Sequence, residues 1–514
     1  MVDHRVVHHR VVVIGAGIGG IGMGIALRRA GIDDFILAER AHGIGGTWRD
    51  NDYPGLAVDV PAQAYQFSFE LNPDWKRTFA TGDEVMRYVD RVTDDYDIRR
   101  HVRTDTDITA RTWDEGEQCW RLEVNGGERE LTATYVVSAI GAFVDPKPVD
   151  IGGIDDFEGK VLRSVGWDHD YDLTGKRVAV IGTGASAVQI VPEIADDVAH
   201  LDVYQRTPIW VGPKFDRRIP KLMRNLYRRF PVTQRPAWKR ASTSTESLLV
   251  GIVVKHEKLK WVNRAAVFGM RKIWYRHQVP DAELRAKLTP DYSLGCKRPS
   301  VSSNYLSTFM RPHVELVTDP IERFTTTGIR TVEGAERPID AVVLATGFRM
   351  ASDPATHRER PVRGRDGFDL ATFYEDNRLM SYESVSIPGL PNHFMIFGPY
   401  GWVGATWHQL VETASAHIVR VMGEAERRGA TSVEVTRDAA EQWTERMRGR
   451  LDRSLWHSGE CVTANSYYFD HHGDTPYLRP TSSAQAYEAA ETFPLDDYAF
   501  TTVPSASPQE HVPV

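Results

Sequence analysis

Cysteine is scarce in this chain. Among 514 residues only Cys119, Cys296 and Cys461 occur, far apart and without a CxxC pair. That spacing excludes a disulfide scaffold and a reductase-type dithiol, and it fits a reducing compartment. Long apolar runs are missing too: residues 247–254, the notable run of the middle region, fall far short of the ~20 residues a bilayer span needs. Residues 1–10 are polar and histidine-rich, without a secretory pattern. Overall positive charge is also lacking, and a net charge of −8 argues against a nucleic-acid partner. The histidines offer no metal cage. His8-His9 and His471-His472 are adjacent pairs, while His4 and His8 stand in a polar segment without further ligands. These absences point to a cytoplasmic protein with no membrane span and no metal, its oligomeric state left open.

Two glycine turns stand out among what is present. Gly15-Ala16-Gly17-Ile18-Gly19-Gly20 follows the apolar residues 11–14, and Gly182-Thr183-Gly184-Ala185-Ser186-Ala187 follows the apolar residues 178–181. Each reads as the bend between strand and helix of a dinucleotide-binding βαβ unit. Gly15 and Gly182 suit the tight turn, and Gly17 and Gly184 let backbone N–H groups approach a pyrophosphate. Gly20 and Ala187 permit close helix–strand packing. The residues further on differ in charge: Glu39 ends the apolar stretch 35–38, whereas Arg206 follows the stretch 201–204. A carboxylate there accepts hydrogen bonds from a ribose 2′-OH, while a guanidinium suits a 2′-phosphate. Two different dinucleotides are therefore expected, the second being NADPH.

The length allows roughly three domains, and the pattern reads as α/β with two nested Rossmann-like domains. The first comprises residues 1–148 and 341–504, the second residues 149–340, and residues 505–514 read as a disordered tail. Residues 341–347, a buried strand ending in glycine, are expected to steer the chain back to the first domain. From Lys214 to Arg298 there are 21 Lys and Arg against 6 Asp and Glu. This basic helical insertion, about residues 213–296, either attracts an anionic cofactor or is a solvated helical face.

Residues 45–59 read Gly-Gly-Thr-Trp-Arg-Asp-Asn-Asp-Tyr-Pro-Gly-Leu-Ala-Val-Asp. They meet every constrained position of the pattern [A/G]GxWxxxx[F/Y]P[G/M]xxxD, at Gly45, Gly46, Trp48, Tyr53, Pro54, Gly55 and Asp59. The chain thus resembles the Baeyer–Villiger monooxygenases over nearly its whole length. A second pattern of that family, FxGxxxHxxxW[P/D], is met at Phe157, Gly159, Trp167 and Asp168, but Arg163 stands at the histidine position. The resemblance implies FAD at the first turn, near Glu39, Thr47, Trp48, Asp59 and Tyr65. It implies NADPH at the second, with Thr183 to Gln189 around the pyrophosphate and Arg206, Thr207 and Lys297 at the 2′-phosphate. Arg298, held by Asp59, would lie over the flavin and stabilise an anionic C4a-peroxyflavin. Ser466-Tyr467-Tyr468 stands where the family often carries Ser-Trp-Tyr on a mobile loop.

The implied activity is NADPH- and O2-dependent oxygen insertion beside a ketone or aldehyde carbonyl, giving an ester or lactone, with sulfides or amines as side substrates. An N- or S-oxygenating flavin monooxygenase shares both glycine turns but typically lacks the 45–59 pattern. A pyridine-nucleotide disulfide reductase needs a cysteine pair that the spacing denies. An uncoupled NADPH oxidase is the third alternative, raised by Arg163.

Overall fold

The structure is a computed structural model that describes residues 6–404 and 406–503; His4 and the 505–514 tail lie outside the described residues. The first sheet is built around Val7–Ile14, whose apolar half from Val11 to Ile14 is buried. This strand begins earlier than its apolar run, because His8 and His9 pair with Thr132 and Ala133. It lies parallel to Phe35–Ala38 on one side and to Arg129–Ser138 on the other. The antiparallel strands Cys119–Val124 and Ile108–Asp114 extend the sheet, and His393–Met395 joins Arg129–Ser138 in parallel. A strand from late in the chain therefore completes the first sheet, as nesting requires.

The helix Ile18–Arg29 follows the first glycine turn and packs on the helix Trp407–Arg428. Their contact is close: a Cβ on Gly22 would stand 2.5 Å from Val411. The second sheet is wholly parallel, in the order Val314–Val317, His200–Tyr204, Arg177–Ile181, Ala341–Leu344, Lys160–Arg163. This order corrects the expected return at residue 341. Ala341–Leu344 pairs inside the second sheet, and the chain crosses back only after Gly347, where Phe348–Met350 runs antiparallel to Phe143–Pro146. A buried apolar strand ending in glycine suits either sheet; only its hydrogen-bonding neighbours decide which.

The basic segment is helical, with Lys221–Arg229, Arg235–Leu249, His256–Gly269 and Ala282–Leu288, and with π-helical turns at Val250–Val254 and Met270–Tyr275. It is anchored by two aromatic side chains. Trp274 donates to the Val211 carbonyl at 2.9 Å, and the Tyr275 hydroxyl donates to the Ile209 carbonyl at 3.1 Å. No helix among the described residues is long and apolar enough to cross a membrane.

Candidate active site

One cavity of about 1550 Å³ runs between the two sheets and is walled by both glycine turns, the 45–59 loop, Arg298 and the loop at 465–469. A single small-ligand pocket occupies roughly 300–1,000 Å³, so there is room for more than one ligand.

The first turn is packed tightly. Gly15 has φ +103°, and a Cβ there would come within 2.8 Å of the Ala139 carbonyl oxygen. A Cβ on Gly20 would stand 1.9 Å from the Gly15 oxygen, and one on Gly17 would touch Gly46 at 3.6 Å. Glu39 is buried, and its carboxylate accepts from the backbone N–H of Ala16 (2.8 Å) and Ala41 (3.0 Å), with Arg49 3.3 Å away. The acid expected to meet a ribose is thus held by its own domain's backbone. Thr47 opens the short helix Thr47–Asp50, in which the Trp48 indole donates to the Tyr65 hydroxyl at 2.9 Å. Burial pushes that phenol up from its ordinary pKa, so Tyr65 stays neutral.

The second turn repeats the bend but is more open. Gly182 has φ +116°, and its Cβ would lie 2.3 Å from the Ala345 oxygen, whereas a Cβ on Gly184 would meet open space. Ala185 and Ser186 begin the helix Ala185–Ile194, and the buried Ala187 accommodates the Cβ that Gly20 could not. Thr183 donates to the Thr207 carbonyl at 3.0 Å, joining the glycine turn to the segment after Arg206. Gln189 turns toward the other domain. It donates to the Ala57 carbonyl at 2.9 Å, and its oxygen accepts from the Tyr53 hydroxyl (3.1 Å) and the Ala57 N–H (3.3 Å). A Cβ on Gly55 would meet the Gln189 backbone oxygen at 2.9 Å, which accounts for glycine after Tyr53-Pro54.

Arg206 is exposed, and with its amide oxygen turned inward Asn465 accepts from Nε at 3.1 Å and Nη2 at 2.6 Å. Lys297 also lines the cavity. Burial, helped by the nearby Arg206 charge, lowers its pKa to about 8. Neither the Asn465 contact nor the latch made by Gln189 has a local signal in the sequence, since each joins residues more than 100 positions apart.

Arg298 and Asp59 form a two-pronged ion pair on the cavity wall, Nε to Oδ2 at 2.7 Å and Nη2 to Oδ1 at 2.8 Å. Burial alone would raise the Asp59 carboxyl, but Arg298 outweighs it and holds the group below the usual carboxylate range. Burial likewise works against the guanidinium charge, and Asp59 raises Arg298 above its ordinary value. The pair is thus ionised together. The guanidinium also stands 5.3 Å from the Trp402 ring centre, and Tyr467 and Tyr468 lie in the same wall.

The cysteine expectation is overturned beside this pair. Cys296 and Cys461 are disulfide-bonded, with Cα atoms 5.1 Å apart across 165 residues of chain. The loop that carries Tyr467 and Tyr468 folds back over the segment leading to Lys297 and Arg298, and distance along the chain could not reveal that. Among the described residues Cys119 alone is a free thiol. Arg163 is exposed at the end of the edge strand Lys160–Arg163. The linker beyond it is fastened to the 45–59 loop, Gly166 N–H to the Asp50 carbonyl at 2.9 Å and Trp167 N–H to Asp52 at 3.0 Å. The matching glycine of that motif has a steric reason, because a Cβ on Gly159 would stand 2.2 Å from Phe157.

Comparison with known proteins agrees with this geometry. The family model described as pyridine nucleotide-disulphide oxidoreductase matches residues 12–233. A Baeyer–Villiger monooxygenase of Pseudomonas aeruginosa is 38% identical over 97% of this chain and 93% of its own length. The chain belongs to the Baeyer–Villiger monooxygenases. A second member, from Streptomyces coelicolor, is 37% identical over 97% of the chain and 94% of its own length. Among solved structures, a Rhodococcus cyclohexanone monooxygenase bound to NADP+ superposes with a TM-score of 0.84 at 27% identity, covering 97% of this chain and all of that one. An oxidised steroid monooxygenase bound to NADP gives 0.83 at 28% identity, with the same coverage. The chain is accordingly a Baeyer–Villiger-type flavoprotein monooxygenase, and the disulfide reductase alternative falls away as a family assignment.

Proposed function

We propose that this chain inserts one oxygen atom of O2 beside the carbonyl of a ketone or aldehyde, with FAD at the Gly15 turn and NADPH at the Gly182 turn. The observation that carries this reading is the ionised Arg298–Asp59 pair in the one cavity that both turns share. The donor set fits the two dinucleotides. Open space at Gly184 admits a pyrophosphate, the prearranged Glu39 suits a ribose diol, and Arg206 with Lys297 suits a 2′-phosphate.

When bound, FAD reduced by NADPH supplies the O2 activation that no side chain can perform. The chain's own residues provide the charge and the enclosure. Asp59 engages two of the three guanidinium nitrogens, which fixes the plane of Arg298 and leaves Nη1 for oxygen atoms that become negative during the reaction. The Tyr467 and Tyr468 hydroxyls are kept neutral by burial, so they add no negative charge beside it. Asn465 couples the same loop to Arg206, so closure of the loop and occupation of the 2′-phosphate site act on one segment.

The test is a purified holoenzyme offered a panel of cyclic, linear and aryl ketones and thioethers. Substrate-dependent NADPH consumption with an ester or lactone as product supports the proposal. Sulfoxide or hydrogen peroxide as sole product contradicts it.

A further inference from the structure

The helical insertion wears its apolar side chains outward. Eleven of the eighteen large apolar side chains exposed among the described residues fall between Phe215 and Ile273. The helix His256–Gly269 is the clearest case. Trp261, Ala265 and Phe268, at spacings of four and three, share one face, and Trp261 is 71% and Phe268 63% exposed. His256 and Asn263 lie on the opposite face and are buried, bonded or close to Glu460 and the Leu294 carbonyl. This helix turns His256 and Asn263 inward and Trp261 and Phe268 outward, so its most apolar face is the one left uncovered. The helix Lys221–Arg229 also leaves apolar side chains uncovered, exposing Leu222 (82%), Met223 and Leu226 while Tyr227 is buried.

Cations flank both apolar faces. Lys221 and Arg229 stand beside the first, Lys258 and Arg264 beside the second, within the segment that carries 21 Lys and Arg against 6 Asp and Glu. The apolar surface also reaches the cavity. Leu248, 61% exposed, lines it together with Thr245, Ile252 and Val253 of the same insertion.

We propose that the insertion docks the protein on anionic membrane surfaces, seating Trp261 and Phe268, with Leu222 and Leu226, in the headgroup–acyl boundary. Charge selects this occupant. A two-fold dimer through this face would press one cationic segment against its copy, and the exposed aliphatic side chains Leu222, Met223 and Leu226 beside the aromatic ones match an acyl layer better than the stacked bases of a nucleic acid. Anionic lipid offers the opposite charge and an apolar layer at once. An apolar carbonyl compound dissolved in the bilayer would then reach the cavity past Leu248 without crossing bulk water. This inference goes beyond the oxygen-insertion reading, and vesicle binding is read without turnover.

The experiment is co-sedimentation of the full-length holoenzyme with phosphatidylglycerol/phosphatidylcholine vesicles, alongside pure phosphatidylcholine vesicles and no vesicles. The expected result is binding to the anionic vesicles that weakens as salt is raised, with Trp fluorescence quenched by brominated acyl chains. The double variants Trp261→Glu/Phe268→Glu and Leu222→Glu/Leu226→Glu should each lower vesicle affinity at least tenfold, and activity on a water-soluble ketone should stay within about twofold. Absence of sedimentation with anionic vesicles at low salt overturns the proposal. So does unchanged vesicle binding in both double variants. A wild-type dimer that these variants split into monomers, without lipid binding by either form, assigns the face to a second copy and also overturns it.

Discussion

The two glycine turns share a bend and differ in how finished they are. In each, the first glycine adopts positive φ under a carbonyl from the neighbouring strand end, Ala139 over Gly15 and Ala345 over Gly182. Beyond that point they part. The first is locked: Gly20 touches the Gly15 oxygen, Gly17 abuts Gly46, and Glu39 is held by two backbone donors. The second is loose, with space at Gly184, a methyl group at Ala187, and an exposed Arg206 held from outside by Asn465. A site built complete suits a cofactor that stays, and a site completed by a loop suits one that comes and goes. This contrast gives physical content to the proposal that FAD is resident at the first turn and NADPH the arriving reductant at the second.

The comparison can be broken at several points, the largest effect first. Gly20→Ala would force a Cβ into the Gly15 oxygen, so the variant should purify with little or no flavin. The converse change Ala187→Gly should cost only about 0.5–1 kcal/mol and leave NADPH use intact. Absorbance of bound flavin and thermal unfolding check both, and full flavin content in Gly20→Ala would refute the locked first site. Arg298→Ala lies between the turns and should lower ester formation ~100- to 1,000-fold, the loss of one fixed donor to developing negative charge. Reduction of bound flavin by NADPH should be largely unaffected, so rapid-mixing spectroscopy separates the two half-reactions.

Arg206→Ala probes the loose site. Loss of one charged phosphate contact, about 1.5–3 kcal/mol, should raise the Michaelis constant for NADPH ~10- to 100-fold and leave that for NADH nearly unchanged. Equal effects on both cofactors would mean that Arg206 does not read the 2′-phosphate. The smallest effect is a pH dependence. Lys297 is protonated below its lowered pKa of about 8 and can then pair with phosphate, so NADPH affinity should fall as pH rises through about 8. A decline of about threefold to tenfold by pH 9.5, absent in Lys297→Arg, is expected from loss of one charge-assisted contact. A decline that persists in Lys297→Arg would point to another group.

What sequence reading captured was local. The glycines of both turns, the charge contrast between Glu39 and Arg206, and the 45–59 motif each lie within a few dozen residues, where a tight bend or close approach dictates residue type. What it missed joins distant residues. Ala341–Leu344 looks alike in either sheet until its neighbours are known. The bonds of the Gln189 amide to Tyr53 and Ala57 link residues more than 100 positions apart. The Cys296–Cys461 bond spans 165 residues and follows from the return of a loop that no periodicity encodes. That bond has its own check: thiol titration in denaturant without reductant should find one free cysteine. Asp59 and Arg298 were within reach of motif reading, yet their two-pronged contact and shared ionisation required the folded chain.

The central claim is that the cavity between the two turns delivers an oxygen atom from O2 into a carbonyl compound. Turnover under oxygen-18 gas with mass analysis of product and peroxide tests it most directly. The account predicts an ester or lactone carrying one labelled oxygen, formed in step with NADPH consumed. An unlabelled product, or labelled hydrogen peroxide in place of ester, would contradict it.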